Sequence, residues 1–322
     1  MQILVTGGTG YVGGVIVNKL VKAGHDVIVI GTLRHGRKDH LPSSIKFYLG
    51  DIGDVDILNE IFTQNKITHV IHCAAYINIG EATVNPIKYF DNNIAKAIKL
   101  LQVMESFGCK NIIFSSSCAT YGVPQTIPLT ESNPQIPITV YGWTKLVFEQ
   151  MLGYMEKIHD FNVVILRYFN VAGAYIDGDL IIGENHNPEI HLIPIVINSL
   201  VSGNTFNING TDYDTDDGTC IRDYIHVEDL ADAHILALGK RGQFNLGGDR
   251  GYSIKEILDL VQKIGQQKLN ISVRARRIED LPILYADSTK FKLEFGWKPK
   301  HDIESIATSA YKWHLKKQNI IK

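Results

Sequence analysis

The 322-residue chain has only four cysteines, Cys73, Cys109, Cys118 and Cys220, and no Cys-x-x-Cys spacing. That excludes a disulfide framework and fits a reducing, cytoplasmic setting. No apolar run reaches the roughly 18 residues of a membrane-spanning helix. The opening Met1-Gln2-Ile3-Leu4-Val5-Thr6-Gly7 lacks a basic stretch ahead of a long apolar one, and reads as a strand rather than a signal peptide. Charge of one sign is missing too: 32 basic against 34 acidic side chains leave −2. A general electrostatic grip on nucleic acid or anionic membrane is therefore not expected. Internal repeats and low-complexity tracts are also missing. The length suits two domains at ~150 residues each, or one large α/β unit with an appendage.

Glycine, in contrast, is plentiful, with 28 residues. The first of them punctuate a recognisable pattern. Ile3-Leu4-Val5 is a short apolar run, read as a buried strand. Gly7-Gly8-Thr9-Gly10-Tyr11-Val12-Gly13 follows, then a helical pattern through Val15, Ile16, Leu20 and Val21 that Gly24 closes. Val27-Ile28-Val29-Ile30 is a second strand. Strand, glycine loop, helix and strand make a mononucleotide-binding unit. Gly7, Gly10, Tyr11, Val12 and Gly13 are the candidate pyrophosphate cradle, where backbone N–H groups and the positive helix end face the phosphates.

One expected part is absent. An acidic residue usually ends the second strand and binds the ribose 2′-OH of NAD. Here that position is Gly31, followed by Thr32, Arg34, Arg37 and Lys38. Losing the carboxylate beside arginines removes the repulsion against a 2′-phosphate, so NADP is open beside NAD. A solvated basic loop gives the same pattern.

The alternation continues. Strands are expected at 45–49, 68–72, 111–114 and 163–166, and helices at about 54–64, 85–107 and 141–158. This predicts an α/β fold, a doubly wound parallel sheet of Rossmann type, over 1–169. Residues 170–322 read mainly as a smaller C-terminal α/β substrate lobe, with about 220–247 returning to the first domain.

Two motifs bring chemistry. Ser115-Ser116-Ser117 follows Phe114, expected to end the fifth strand, at the sheet edge where ligands bind. Tyr141-Gly142-Trp143-Thr144-Lys145 opens a helix, with Tyr141 and Lys145 one turn apart on one face. A nearby ammonium is expected to lower the phenol pKa and make Tyr141 a general base. Lys145 is also placed to hold the nicotinamide ribose.

With these motifs the chain resembles the extended short-chain dehydrogenase/reductases, and within them the UDP-glucose 4-epimerases. The resemblance runs nearly end to end. It includes Gly50-Asp51-Ile52, Tyr89 to Asn93, Leu166 to Asn170, His191-Leu192-Ile193-Pro194, Asp217 to Val227 and Arg276 to Pro282. The last two stretches are the most specific to nucleotide-sugar enzymes. The resemblance implies that Tyr141 takes the C4 hydroxyl proton while Ser117 bonds the same oxygen. The C4 hydride passes to the nicotinamide, and the 4-keto sugar turns and takes it back on its other face. It further implies that Asp51, Ile52, Cys73, Ala74, Ala75, Asn92, Ser115 and Tyr168 line the cofactor. Asn170, Leu192, Arg222, Arg277 and Asp280 are implied to hold the UDP moiety, with His191, Asn207 and Asn209 as further candidates. Structural roles compete with these: an ion pair for each arginine, a polar strand face for the asparagines. A homodimer formed through the helices at 85–107 and 141–158 is also implied.

Departures from the family pattern bear on substrate. Ile77 stands where many epimerases have a lysine toward the diphosphate. Leu284 replaces a bulky tyrosine and leaves room for N-acetylated sugars, so other UDP-sugars (an N-acetylhexosamine, a uronate or a pentose) stay open. Cys118-Ala119-Thr120 lacks the acids of 4,6-dehydratases, which disfavours elimination. Cys118 suits a small buried hydrophobe better than a reactive thiol. An NADP-dependent nucleotide-sugar reductase and a non-catalytic dinucleotide sensor are further alternatives; retained Ser117, Tyr141 and Lys145 argue against the sensor. No metal site is expected, since His69/His72 and His186/His191 show no third ligand.

Overall fold

The computed structural model describes residues 1–248, 250–277 and 280–318. Short apolar runs and helical patterns become alternating elements. The first are β1 (Gln2–Thr6), α1 (Tyr11–Lys22), β2 (Asp26–Gly31), β3 (Lys46–Leu49), α2 (Val55–Gln64) and β4 (His69–His72). Then come α3 (Ile79–Val84), α4 (Pro86–Phe90), α5 (Lys96–Ser106), β5 (Asn111–Ser117), α6 (Val140–His159) and β6 (Asn162–Tyr168). β7 (Asn170–Ala172), β8 (Ala174–Asp177), β9 (Leu180–Gly183), α7 (Leu192–Ser202), β10 (Phe206–Asn209) and β11 (Ile221–His226) follow. The chain continues through α8 (Val227–Leu236), β12 (Gly242–Leu246), β13 (Gly251–Ser253), α9 (Ile254–Gly265) and β14 (Ile271–Arg274). β15 (Ile283–Leu284), α10 (Thr289–Phe295) and α11 (Ile303–Lys317) complete it.

Strands β1 to β6 pair in parallel in the order β3-β2-β1-β4-β5-β6, and β12 extends the sheet beside β6. This is the Rossmann-type arrangement. Its order reverses at β1, where Thr6 is in register with Ile30 on one side and His72 on the other. Ligands bind at such a reversal, outside the carboxyl ends of the strands.

Two elements differ from expectation. β5 does not stop at Phe114 but runs to Ser117, because all three serines are buried and paired with Leu166 to Tyr168. The long helix expected at 85–107 is interrupted by a π-turn over Asp91–Ala95. Asn93 accounts for it. Its amide is buried, accepts from Tyr76 N at 2.8 Å and donates to Tyr76 O at 3.0 Å and Thr144 Oγ1 at 3.1 Å. A widened turn carries that side chain inward.

Contacts divide the chain into two units. Unit 1 is Met1–Val123, Pro134–Tyr168 and Ala231–Phe244; unit 2 is Pro124–Asn133, Phe169–Leu230 and Asn245–Lys322. In unit 1, strand residues such as Leu4, Val70, Ile112 and Ile165 pack against Leu58, Leu100, Phe148 and Leu152 of the helices. Each such burial contributes about 1.5–3 kcal/mol. Unit 2 builds its core on α7, α9 and α11, through Val196, Ile197, Ile257, Val261, Ile306 and Ala310. A capping box starts α9: Ser253 Oγ accepts from Glu256 N, and the Glu256 carboxylate accepts from Ser253 N. Among the described residues no helix is long and apolar enough to cross a membrane.

Candidate functional site

Unit 1 opens its site with the turn after β1. Gly7 has φ +70°, and a Cβ on it would lie 2.9 Å from Ala74 N. A Cβ on Gly13 would lie 2.4 Å from Gly7 O. Only glycine lets these backbones close together. Gly10 N donates to Gly7 O at 3.0 Å, and Gly10 caps α1 without any side-chain hydrogen bond. The helix start at Tyr11 and Val12 thus presents backbone N–H groups and a positive dipole end with no side chain over them, which suits a pyrophosphate. Cys73, Ala74 and Ala75 follow β4 directly opposite, half-buried.

The reacting groups come from β5 and α6. Thr139 caps α6, accepting from Gly142 N at 3.1 Å, which puts Tyr141 in the first helical turn. A Cβ on Gly142 would meet Ala119 O at 2.3 Å. This glycine lets α6 press against the 3-10 turn that begins at Cys118, and the Tyr141 phenol shares a hydrogen bond with Ser117. One turn on, Lys145 Nζ lies 5.8 Å from the Tyr141 ring centre and donates to Ser115 O at 2.7 Å. The Ser115 hydroxyl lies 3.2 Å from Cys73 Sγ and 3.2 Å from His234 Nε2, and it also bonds Tyr168.

The electrostatics differ from expectation. Burial raises the Tyr141 phenol above its ordinary value; the Ser117 bond opposes this and the Cys118 thiol adds to it. Burial lowers Lys145 to about 8, with Cys73 and Glu149 opposing. Burial dominates at both groups: each is taken out of water and pushed toward its uncharged form. Lys145 is a donor locked in place.

Around Gly31 both arginines are already engaged. Arg34 donates to Tyr76 OH at 2.5 Å and lies over that ring, 4.8 Å from its centre. Arg37 pairs with Asp39 at 2.5 Å. Thr32 Oγ1 accepts from Arg34 N at 3.4 Å. Asp51 accepts from Gly53 N and takes an ion pair from Lys96, both at 2.8 Å, and Ile52 beside it is buried. Asn92 donates to Asn93 Oδ1 at 3.0 Å.

Sequence reasoning missed the group that fastens these parts. Glu149, two turns after Tyr141, forms a buried ion pair with Arg167 of β6 at 2.7 Å. It also accepts from Ser116 Oγ of β5 and from Gln135 Nε2 at 2.8 Å. Arg167 in turn donates to Tyr121 OH at 3.0 Å and Gln243 Oε1 at 2.7 Å. The only signal was spacing: Glu149 stands four residues after Lys145 on the same face.

Unit 2 assembles the other candidates in pairs. β10 alternates, so Asn207 and Asn209 share the face away from buried Phe206 and Ile208. Asn207 accepts from Ser272 Oγ at 2.6 Å. The Asn209 amide oxygen, turned toward Arg277, accepts from Nη2 at 3.1 Å and Nε at 3.2 Å. Arg222 donates to Leu281 O at 2.6 Å and lies 3.6 Å from Asp280. Asn170 donates to Asp223 O at 2.9 Å. Leu192 starts α7, and His191 before it contacts Glu184. Of the Arg276–Pro282 stretch, Ile278 and Glu279 lie outside the described residues. One expectation is corrected: His186 and His191 do have further potential ligands beside them, because Glu184 and Glu189 converge on both rings. His69 and His72 do not converge, and bond Thr68 and Thr6 instead.

A dinucleotide turn at the reversal of a parallel sheet, with serine, tyrosine and lysine beside it, defines a nicotinamide-dependent enzyme class. Residues 3–247 match the NAD dependent epimerase/dehydratase family, and the chain belongs to it. It is 45% identical to a UDP-glucose 4-epimerase of Lactobacillus helveticus, over 98% of this chain and 97% of that one. A UDP-glucose 4-epimerase from Brucella ovis in complex with NAD is similar with a TM-score of 0.93 and 39% identity, over 97% of this chain and 98% of that one. The enzyme from Bifidobacterium longum in complex with NAD+ and UDP also gives 0.93, at 35% identity over 100% of both chains.

Proposed function

We propose that this chain interconverts UDP-glucose and UDP-galactose by epimerisation at C4. The observation that carries the reading is the Ser117–Tyr141–Lys145 cluster beside the glycine turn, in a chain that matches UDP-glucose 4-epimerases along nearly its whole length. Tyr141 exchanges a proton with the C4 hydroxyl. Ser117 bonds the same oxygen and keeps it in line with the phenol. Lys145, held by Ser115 O, binds the nicotinamide ribose. A bound nicotinamide supplies the hydride acceptor, and its positive ring favours the phenolate that burial opposes. Gly7, Gly10 and Gly13 with the first turn of α1 take the pyrophosphate. Asp51, Ile52, Cys73 to Ala75 and Asn92 line the adenosine side. In unit 2, Arg222 and Arg277 neutralise the diphosphate, with Asn170, Leu192, Asn207, Asn209 and Asp280 around the nucleotide.

NAD is the proposed resident cofactor. Arg34 and Arg37 are bonded to Tyr76 and Asp39, which supports a loop whose two arginines are not set aside for a 2′-phosphate. Denaturing the purified protein and weighing the released nucleotide tests this; predominant NADP overturns it. A homodimer is proposed through α4 and α6, where Ile87, Phe90, Trp143, Tyr154 and Ile158 stand exposed. Light scattering then gives twice the 36.0 kDa chain mass, and a single chain mass removes the dimer. Four free thiols support a cytoplasmic enzyme.

Incubation with a panel of UDP-sugars, read by NMR, tests the activity itself. Inversion at C4 of UDP-galactose is expected, and its absence in nucleotide-loaded protein refutes the reading. Leu284 favours a second substrate class, so slower inversion of UDP-N-acetylglucosamine is expected. No turnover at high enzyme concentration removes that extension.

A further inference from the structure

Of the Glu184 to His191 segment of unit 2, only His191 is a further candidate toward the UDP moiety, yet the segment gathers four metal-ligand side chains. Glu184, His186, Glu189 and His191 each place one ligand atom so that all four lie within 4.8 Å of one another. His186 Nδ1 is 3.0 Å from Glu184 Oε1 and 3.6 Å from Glu189 Oε1. His191 Nδ1 contacts the same Glu184 oxygen and is 4.0 Å from Glu189 Oε1. Four ligands at about 2.0–2.1 Å from one tetrahedral ion stand about 3.3 Å apart. The separations therefore straddle those of a tetrahedral set.

Backbone hydrogen bonds position the two acidic residues. Trp313 Nε1 of α11 donates to Glu184 O at 2.9 Å. Gly183 makes room for that indole, since a Cβ there would meet the ring at 2.3 Å. Glu189 accepts from Ile190 N at 2.9 Å and His191 N at 3.2 Å. The Glu184 side chain is only 5% exposed, yet its Oε2 has no hydrogen-bond partner. A buried carboxylate oxygen left unmatched is an unusual cost for a folded chain. A cation bound by that carboxylate removes it.

We propose that Glu184, His186, Glu189 and His191 bind one divalent transition-metal ion of zinc type, with a structural role. Two imidazoles with two carboxylates select a borderline metal over calcium or magnesium, which prefer oxygen alone. Four protein ligands leave no open position for chemistry. The ion ties the residue after β9 to the residue before α7. The other histidine-acid group, His226, Glu228 and His301, is a weaker candidate. His226 Nε2 lies 3.1 Å from Ser309 Oγ, and its Nδ1 accepts from Glu228 N at 3.1 Å, so both ring nitrogens are in use.

The test is zinc binding by the full-length, nucleotide-loaded protein, stripped with chelator and dialysed against zinc. Expected are one retained ion per chain and at least a tenfold loss of affinity in the His186→Asn/His191→Asn double variant, with His301→Asn unchanged. X-ray absorption of the zinc-loaded wild type needs no variant to fold, and is expected to show two imidazole ligands. No stoichiometric retention, retention unchanged in the double variant, or a spectrum without imidazole each overturns the proposal.

Discussion

The candidate residues of unit 1 and unit 2 are held in opposite ways. In unit 1, Ser117, Tyr141 and Lys145 stand on regular elements whose backbones touch, through Gly142 against Ala119 and Lys145 on Ser115 O. In unit 2, Arg222, Arg277, Asn209 and Asp280 sit on strand ends and a loop, with Arg277 on the Asn209 side chain and Arg222 between the Asp280 carboxylate and a backbone carbonyl. The contrast suits two tasks. Proton and hydride transfer demand fixed geometry. Nucleotide binding needs charge that can exchange one polar partner for another.

The largest expected effect breaks unit 1 at its centre. Tyr141→Phe is expected to lower kcat by about 10²–10⁴-fold with bound nucleotide retained. Full turnover in that variant refutes the catalytic assignment. Next is the anchor beneath it. Glu149→Ala strands the Arg167 guanidinium in the interior and is expected to cost about 3–5 kcal/mol in denaturant unfolding. A loss under 1 kcal/mol, as for an exposed ion pair, means the network does not hold α6 to the sheet.

Unit 2 is expected to respond differently. Arg277→Ala is expected to raise KM about tenfold or more while kcat changes far less. A fall in kcat with KM unchanged reverses the contrast. Near neutral pH the smallest effect is on the pH dependence of stability. Burial, helped by Lys145, lowers His72 to about 3, so between pH 6.5 and that value the folded chain binds fewer protons there than the unfolded one. Stability from this group is whole above pH 6.5 and declines as pH falls, by at most about 1.4 kcal/mol per pH unit. His72→Gln removes that slope. Equal acid slopes in the two proteins mean that His72 is not neutral in the fold.

Legibility in the sequence followed the range of the interaction. The glycine turn, the strand–helix alternation and the Tyr141/Lys145 pair are local patterns, and each was readable from spacing. The π-turn was not, because it answers to Asn93 reaching Thr144, 51 residues away. The hydrogen bond of Arg34 to Tyr76 spans 42 residues and was out of reach of local spacing in the same way. Glu184 was missed beside His186 and His191 because an irregular loop, not a helical or strand period, brings the three together. The burial of Tyr141 was not readable, because a pattern of charges carries no information on it.

The seventh strand has a consequence for synthesis. β12 begins at Gly242, so a ribosome must deliver β7 to β11 before β6 acquires its outer neighbour. Until then β6 is an open edge, with a row of unmatched amides ready to pair with another chain. The dinucleotide unit thus cannot be finished as an N-terminal piece. A fragment ending at Phe169 keeps every residue named for hydride transfer, yet is expected to aggregate, and supplying Ala231–Phe244 in trans is the natural remedy.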